Sequence, residues 1–420
     1  MCKKSGENMV QNSGNLPADL RGAGRLTIEA ITGITDIVES MHHTISSLAG
    51  LLCAKDQDRT TCITGMVYRN IRSITELVGD GLDALLGRLS SVIREKESSP
   101  GREAVLAALN GVLGDHLVAR NNPLAISMQF RSQGKPLSRQ ALLETIRQSD
   151  GRLAIMVHGS CMNDLQFNRK GHDHGAALAR DLGLIPLYVH YNTGLHISEN
   201  GRQFSDLLET LLKTIAEEKP EARNGRARQP IKLFIIAHSM GGLVARSAYH
   251  YGKISGYSWP NHLQKIVFLS TPHHGAPLEK GGNWIDMLLN ISPYSAPFSR
   301  LGKIRSSGIT DMRYGNVIDE DWKGHDRFEF SKDQRTPVPL PEGVQCYTAA
   351  ATTARQSNPL GDGLIGDGLV TLRSALGRHK KDEFNLLFPE AHQWVGREMN
   401  HMELLNHPDV YENIKKWVSE

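Results

Sequence analysis

The chain lacks any apolar run long enough to cross a membrane. No segment of its 420 residues approaches the roughly 20 uncharged apolar residues of a membrane-spanning helix. The basic residues Lys3 and Lys4 are followed by polar residues rather than by an apolar core, so we expect no signal peptide. Together these absences favour a cytoplasmic protein without a transmembrane segment.

The chain also has few cysteines and a small net charge. The chain has five scattered cysteines, Cys2, Cys53, Cys62, Cys161 and Cys346. Their odd number and spacing predict reduced thiols rather than a disulfide framework. The 18 histidines form no complete four-ligand metal set, so we expect no metal and no cofactor. A formal net charge of only +3 argues against a nucleic-acid partner.

What the chain does have is a run, Lys232–Arg246, that combines a strand, a turn and a helix. The apolar stretch Leu233–Ala237 is typical of a buried strand, and Met240–His250 is typical of a helix. Ser239 lies between them, with small residues two positions away on each side. Such spacing predicts a strained turn that exposes the serine hydroxyl at the positive end of the helix.

This turn resembles the nucleophile elbow of the α/β-hydrolase superfamily, on its esterase and lipase side, with Ala237 in place of the first glycine. The string Ala-His-Ser-Met-Gly-Gly is similar to that of small Bacillus-type lipases. Thr271–Pro277 resembles a segment of bacterial lipases and of GPI inositol-deacylase-like hydrolases. The resemblance implies an α/β-hydrolase fold, a mostly parallel sheet with helices on both faces.

Strand and helix patterns alternate from residue 122 to residue 420, which predicts a catalytic domain over this range. Among them we expect a helix over Arg139–Arg147, a strand over Ile185–His190 and a last strand over Glu383–Phe388. Residues 1–121 have amphipathic helical patterns and form a predicted helical extension, which either packs on the catalytic domain or contacts a membrane peripherally. The alternation is lost over 278–343, a candidate lid or cap insertion. Its apolar residues are candidates for the lid or the acyl pocket, with the core of an inserted helix as the alternative: Trp284, Met287, Leu288 and Ile291.

The resemblance implies a catalytic acid and a histidine that follow the serine in chain order. His401, in the context Asn-His-X-X-Leu-Leu, resembles the catalytic histidine of the family. His407 and His392 are the alternatives. We expect His238, beside the nucleophile, to serve local packing or hydrogen bonding rather than to act as the base.

Two Asp-Gly-Leu units offer the acid. Asp367-Gly-Leu-Val370, followed by Ser374-Ala375, matches the family pattern of Asp-Gly-X-Val before a short helix. Asp362 matches only its first three positions. We therefore assign Asp367, with Asp362 as the alternative, and the residue not used would be an ordinary turn aspartate.

The oxyanion hole should consist of backbone N–H groups. Met240, directly after the nucleophile, supplies one. His158-Gly159 resembles the His-Gly oxyanion motif of the superfamily, so Ser160 would supply the other.

These residues together predict a carboxylic ester hydrolase that acts through an acyl-enzyme on a small-molecule or lipid-like ester. An acyltransferase, a thioesterase or a polyester depolymerase would use the same triad. A catalytically silent scaffold is the alternative from another class, and the presence of all three triad residues in order argues against it.

Overall fold

The computed structural model describes residues 100–147, 150–217, 230–276, 306–325, 333–355 and 366–420. The helices are α1 (Pro100–Ala119), α2 (Arg139–Arg147), α3 (His174–Leu182), α4 (Ile197–Ala216), α5 (Met240–Ile254), α6 (Ser307–Asp311), α7 (Leu372–Ala375) and α8 (Pro408–Ser419). The strands are β1 (Gln129–Ser132), β2 (Lys135–Pro136), β3 (Arg152–Val157), β4 (Ile185–His190), β5 (Lys232–His238), β6 (Leu263–Leu269), β7 (Gln345–Thr352) and β8 (Gln393–Arg397).

These strands form one eight-stranded sheet in the order β2-β1-β4-β3-β5-β6-β7-β8. β1 is antiparallel to β2 and β4, and every later neighbour pair is parallel. At the centre Ile155 pairs with Ile235, which in turn pairs with Ile266. The central strands are nearly continuous apolar runs because helices cover both faces of a parallel sheet.

The two faces are distinguished by alternating residues along the central strands. Met156 and Ile236 share one buried cluster with Trp417 of α8 and Leu178 of α3. Tyr347 of β7 stacks on Trp417 with ring centroids 5.1 Å apart. The parallel sheet with covering helices, and the tight turn after β5, make the described core an α/β-hydrolase fold.

The prediction for the last strand is wrong. Glu383–Phe388 was the expected strand, but Asp382–Phe384 is a short 3₁₀ turn and β8 begins only at Gln393. Leu386 and Phe388 are buried, whereas Leu387 between them is 86% exposed. Their alternation fits a strand, yet it arises in a loop that packs two side chains without joining the ladder. His392 therefore precedes the last strand instead of following it.

Much of the predicted insertion and extension lies outside the described residues. The lid candidates Trp284, Met287, Leu288 and Ile291 are among them, so their role stays a prediction. Glu103–Asn121 belongs to the compact unit that also takes in Ala125–Glu420, while a second unit, Met1–Arg102 with Asn122–Leu124, is almost wholly undescribed. The proposed domain division after residue 121 is not tested. None of the described helices is long and apolar enough to span a membrane.

Candidate active site

Ser239 occupies a strained turn between β5 and α5. Its backbone has φ 54° and ψ −126°, a conformation that non-glycine residues rarely adopt. The Ser239 N–H donates to the carbonyl of Leu269 at the end of β6, over 2.8 Å. The turn is thereby attached to the neighbouring strand. The predicted exposure of the serine hydroxyl is wrong, because Ser239 is only 1% exposed, with Gly159 of the loop after β3 packed against it.

Small residues beside Ser239 let the backbones come together. A Cβ on Gly241 would lie 2.6 Å from the carbonyl oxygens of Val157 and of His158. A Cβ on Gly159 would lie 3.0 Å from the Cβ of Ser239. The end of β3 therefore contacts the elbow directly, and glycine is needed at these two positions because a Cβ would not fit.

His401 and Asp367 meet beside this elbow, each from a loop after a late strand. His401 Nδ1 and Asp367 Oδ2 are 2.7 Å apart, and both side chains are buried. The His401 N–H also donates to the Asp367 carbonyl over 3.0 Å. Because Nδ1 donates to a carboxylate, Nε2 is the ring nitrogen that is free to accept a proton.

The Asp367 carboxylate is held by a turn and by a neighbouring strand end. Its Oδ1 accepts the N–H groups of Leu369 and Val370 over 2.9 and 2.8 Å. Ser270 Oγ, just after β6, donates to Oδ2. These donors orient the carboxylate towards His401 and replace the water that it loses on burial.

His238 forms a hydrogen bond with the loop that carries His401. Its Nε2 donates to the His401 carbonyl over 3.2 Å, and the two rings lie 4.7 Å apart. Burial, and then the neighbouring His401, holds the pKa of His238 well below its usual value, so the ring is neutral at pH 7. The expected hydrogen-bonding role of His238 is confirmed.

Several buried polar atoms at this site have no hydrogen-bond partner in the described part of the chain, among them Ser239 Oγ, His401 Nε2, His238 Nδ1 and His158 Nε2. Buried polar atoms are normally satisfied, so their concentration in one site requires an explanation. In acyl transfer through a serine, the hydroxyl would pass its proton to such an imidazole nitrogen as it attacks the acyl carbon.

The loop after β3 carries Ser160, the expected oxyanion donor. Its neighbour Gly159 lies directly against Ser239. Ser160 is buried, and Cys161 after it has a positive φ of 57° and donates its N–H to Thr193 Oγ1 over 3.0 Å. His158 Nδ1 donates to the Gly159 carbonyl over 2.9 Å, and its ring stacks on Tyr191. Burial lowers the pKa of His158 to about 4. These hydrogen bonds fix the shape of the loop. The oxyanion roles of Ser160 and Met240 stay predictions.

The rival histidines lie elsewhere. His392 Nδ1 donates to the Cys346 carbonyl over 3.1 Å, and His407 caps the start of α8, its Nδ1 accepting the Asp409 N–H over 3.2 Å. Asp362 lies outside the described residues.

Among the described residues, no three His, Cys, Asp or Glu side chains are grouped so that they could hold a metal ion.

The sequence does not predict the contacts of two residues at the site. Ser270 donates a hydrogen bond to Asp367, and it lies just before the Thr271–Pro277 segment, outside the resemblance. His158 was noted only for its motif, and its stacking on Tyr191 joins residues 33 positions apart. Neither contact has a local sequence signal, because each depends on which strands become neighbours.

Comparison with protein families gives one match that agrees with this geometry. Residues 148–345 match the PGAP1-like alpha/beta domain. The matched segment contains Ser160, Ser239 and Met240 and ends before Asp367 and His401. No curated protein is significantly similar to the chain in sequence.

Solved structures with a similar fold include bacterial lipases. The mature lipase of Bacillus licheniformis is 14% identical, with a TM-score of 0.39 over 64% of this chain and 92% of its own. The Staphylococcus hyicus lipase is 15% identical, with a TM-score of 0.37 over 64% of this chain and 95% of its own. A Legionella pneumophila phospholipase is 15% identical, with a TM-score of 0.33 over 53% of this chain and 45% of its own.

Proposed function

We propose that the chain is a serine-dependent carboxylic ester hydrolase that acts through an acyl-enzyme on Ser239. The observation that carries the proposal is the buried hydrogen bond of 2.7 Å between His401 and Asp367, placed beside a serine in a strained turn. His238 Nε2, one residue from that serine, contacts the His401 backbone. Nucleophile, base and orienting acid thus come from three separate loops.

In the first half of the proposed reaction, Ser239 Oγ attacks the ester carbonyl carbon while its proton passes to His401 Nε2. Asp367 stabilises the imidazolium that forms and keeps the ring in the correct tautomer. The backbone N–H groups of Ser160 and Met240 would hydrogen-bond the tetrahedral oxyanion, each worth roughly 3 kcal/mol in the transition state. The intermediate collapses, and the alcohol leaves with the proton from His401.

In the second half, water gives a proton to His401 Nε2 and attacks the acyl carbon. Collapse releases the carboxylic acid, and the proton returns to Ser239 Oγ. Asp367, held by backbone donors, contributes orientation and charge in both halves. The overall reaction consumes one ester and one water and yields one acid and one alcohol.

The test is hydrolysis of p-nitrophenyl esters from acetate to palmitate by the wild type and by Ser239→Ala. We expect the substitution to lower kcat at least about 10³-fold, because no nucleophile remains. Ser160→Ala is the matched control, since it removes a neighbouring hydroxyl but keeps the backbone N–H, and we expect a much smaller loss. The acyl chain length that is hydrolysed fastest distinguishes an esterase, which prefers short chains, from a lipase, which prefers long ones.

A fluorophosphonate probe supplies an independent readout, because it labels an activated serine without ester turnover. We expect labelling of the wild type and none of Ser239→Ala. A folded wild-type protein that neither hydrolyses any ester nor takes the label would overturn the mechanism and favour the scaffold alternative. Transfer of the acyl group to an added alcohol in preference to water would instead identify an acyltransferase with the same triad.

A further inference from the structure

A cavity of about 70 Å³, which we call the arginine cavity, lies apart from the candidate active site. Its lining includes Arg246, His273, Asp321, Arg335 and Val338. Arg246 is seven residues beyond Ser239 on α5, which corresponds to about 10 Å along the helix axis. The cavity is several times larger than the space one water molecule needs.

Arg246 is a buried cation with incomplete hydrogen bonding. Its side chain is 5% exposed, and Nη2 donates to the Val338 carbonyl. Within the described ranges it has no carboxylate within ion-pair distance, and its Nε–H has no acceptor. Burial lowers the pKa of Arg246 to about 10, so the guanidinium is still charged at neutral pH. A buried charge of this kind is costly unless an anion or acceptor meets it.

His273 presents a second unsatisfied donor. Arg246 Nη1 lies 3.5 Å from His273 Nδ1, and because a guanidinium can only donate, Nδ1 is the acceptor. The proton of the neutral ring is therefore on Nε2, which has no partner in the described part of the chain. Burial, and then the Arg246 charge, holds the pKa of His273 well below its usual value. The ring stays neutral and offers one N–H.

The other charged residues that line the cavity, Arg335, Asp321 and Glu383, have partners of their own. Glu383 Oε1 lies 3.7 Å from Lys381 Nζ. Arg335 forms two hydrogen bonds of 2.9 Å with the Asp333 carboxylate. Asp321 Oδ2 accepts the N–H of Val317 over 2.9 Å, and Oδ1 accepts the Thr336 N–H over 2.9 Å. Arg335 and Asp321 therefore form walls of the cavity whose hydrogen-bonding capacity is largely used.

We propose that the arginine cavity binds a phosphoryl group, either free orthophosphate or the phosphate of a small ester. The phosphoryl oxygens would accept from Arg246 Nε and His273 Nε2, two donors at the cavity that have no partner among the described residues. Guanidinium groups suit phosphate because their donors form a planar fork and their charge is permanent. The site is distinct from the proposed ester hydrolysis and does not depend on it.

The test is calorimetric titration of the full chain with sodium phosphate, at ionic strength held constant with sodium chloride. We expect saturable binding of one phosphate per chain. Arg246→Gln should weaken it at least about tenfold, because a charge-assisted hydrogen bond is lost. Arg373→Gln is the matched control, since it removes one exposed positive charge and should leave the affinity unchanged.

Further variants separate loss of the site from loss of folding. Arg246→Lys keeps the charge without the fork, so it should fold and still bind more weakly than the wild type. Ser239→Ala should bind phosphate with unchanged affinity even though it abolishes hydrolysis. Glycerol 3-phosphate is titrated beside orthophosphate, and the ligand that binds more tightly shows whether the site prefers the phosphate of a small ester or the free ion. Absence of saturable binding to both ligands, or equal affinity in wild type and Arg246→Lys, would overturn the proposal.

Discussion

Asp367 and Asp362 begin two Asp-Gly-Leu units five residues apart, of which only Asp367 lies within the described residues. The carboxylate of Asp367 is 0% exposed and hydrogen-bonds His401 Nδ1. It also receives two backbone N–H groups and the Ser270 hydroxyl. A turn aspartate needs none of these long-range partners, so the contacts favour Asp367 as the catalytic acid.

At this scale we predict that Asp367→Asn lowers kcat by about 10³–10⁴-fold, because the amide no longer stabilises the imidazolium or the correct tautomer. Asp362→Asn is the matched control, with the same chemical change in the same tripeptide, and should retain most of the activity. Ester hydrolysis rates of both purified variants provide the measurement. A larger loss in the Asp362 variant would reverse the assignment of the acid.

At the scale of elements, the elbow depends on how closely helix α5 approaches strand β3. Gly241 lies at the point of contact, where an added Cβ would be 2.6 Å from two backbone oxygens. Alanine is the better helix former by about 1 kcal/mol. Backbone atoms cannot rotate away as a flexible side chain can, so the steric conflict should outweigh this gain.

We therefore expect Gly241→Ala to lower the free energy of unfolding by about 1–3 kcal/mol and to reduce activity through displacement of Ser239. Gly256→Asn serves as the control, since Gly256 has φ 65° with nothing within 4 Å of a Cβ and asparagine tolerates that conformation. Urea denaturation of both variants gives the comparison. Unchanged stability in Gly241→Ala would mean that α5 can shift relative to β3.

At the scale of the whole molecule, buried neutral histidines should make stability depend on pH. Burial lowers the pKa of His158 and of His174 to about 4, against about 6.5 in an unfolded chain. Between these values the unfolded state binds more protons, so stability rises with pH. This contribution is complete above about pH 6.5 and is lost as the pH falls towards 4.

The expected slope is about 1.4 kcal/mol per pH unit for each such histidine. Urea unfolding between pH 5 and pH 8 measures it, with little change between pH 7 and pH 8. His174→Gln should reduce the slope by about 1.4 kcal/mol per pH unit, because that side chain no longer titrates. A protein that is equally stable at pH 5 and pH 7 would contradict the assignment of these histidines as buried and neutral.

The chain pattern predicts local elements well where their periodicity is strong. Arg139–Arg147 and Ile185–His190 have the predicted bounds, and the strand, turn and helix around Ser239 lie where the sequence placed them. The prediction fails at residues 383–388, where alternating burial comes from a packed loop. Apolar alternation reports which side chains are buried, and it does not report whether the backbone pairs with a strand.

By itself the sequence determined the nucleophile turn, since its small residues, serine and following helix are all within one short stretch and obey local steric rules. That an acid and a histidine follow Ser239 was implied by the resemblance to the α/β-hydrolase superfamily, and not by any local pattern. Only the tertiary structure decided that Asp367 meets His401, that Ser270 supports the acid, and that His238 holds the His401 backbone. Those contacts join residues far apart in the chain, and strand order in the sheet, which is a property of the whole fold, brings them together.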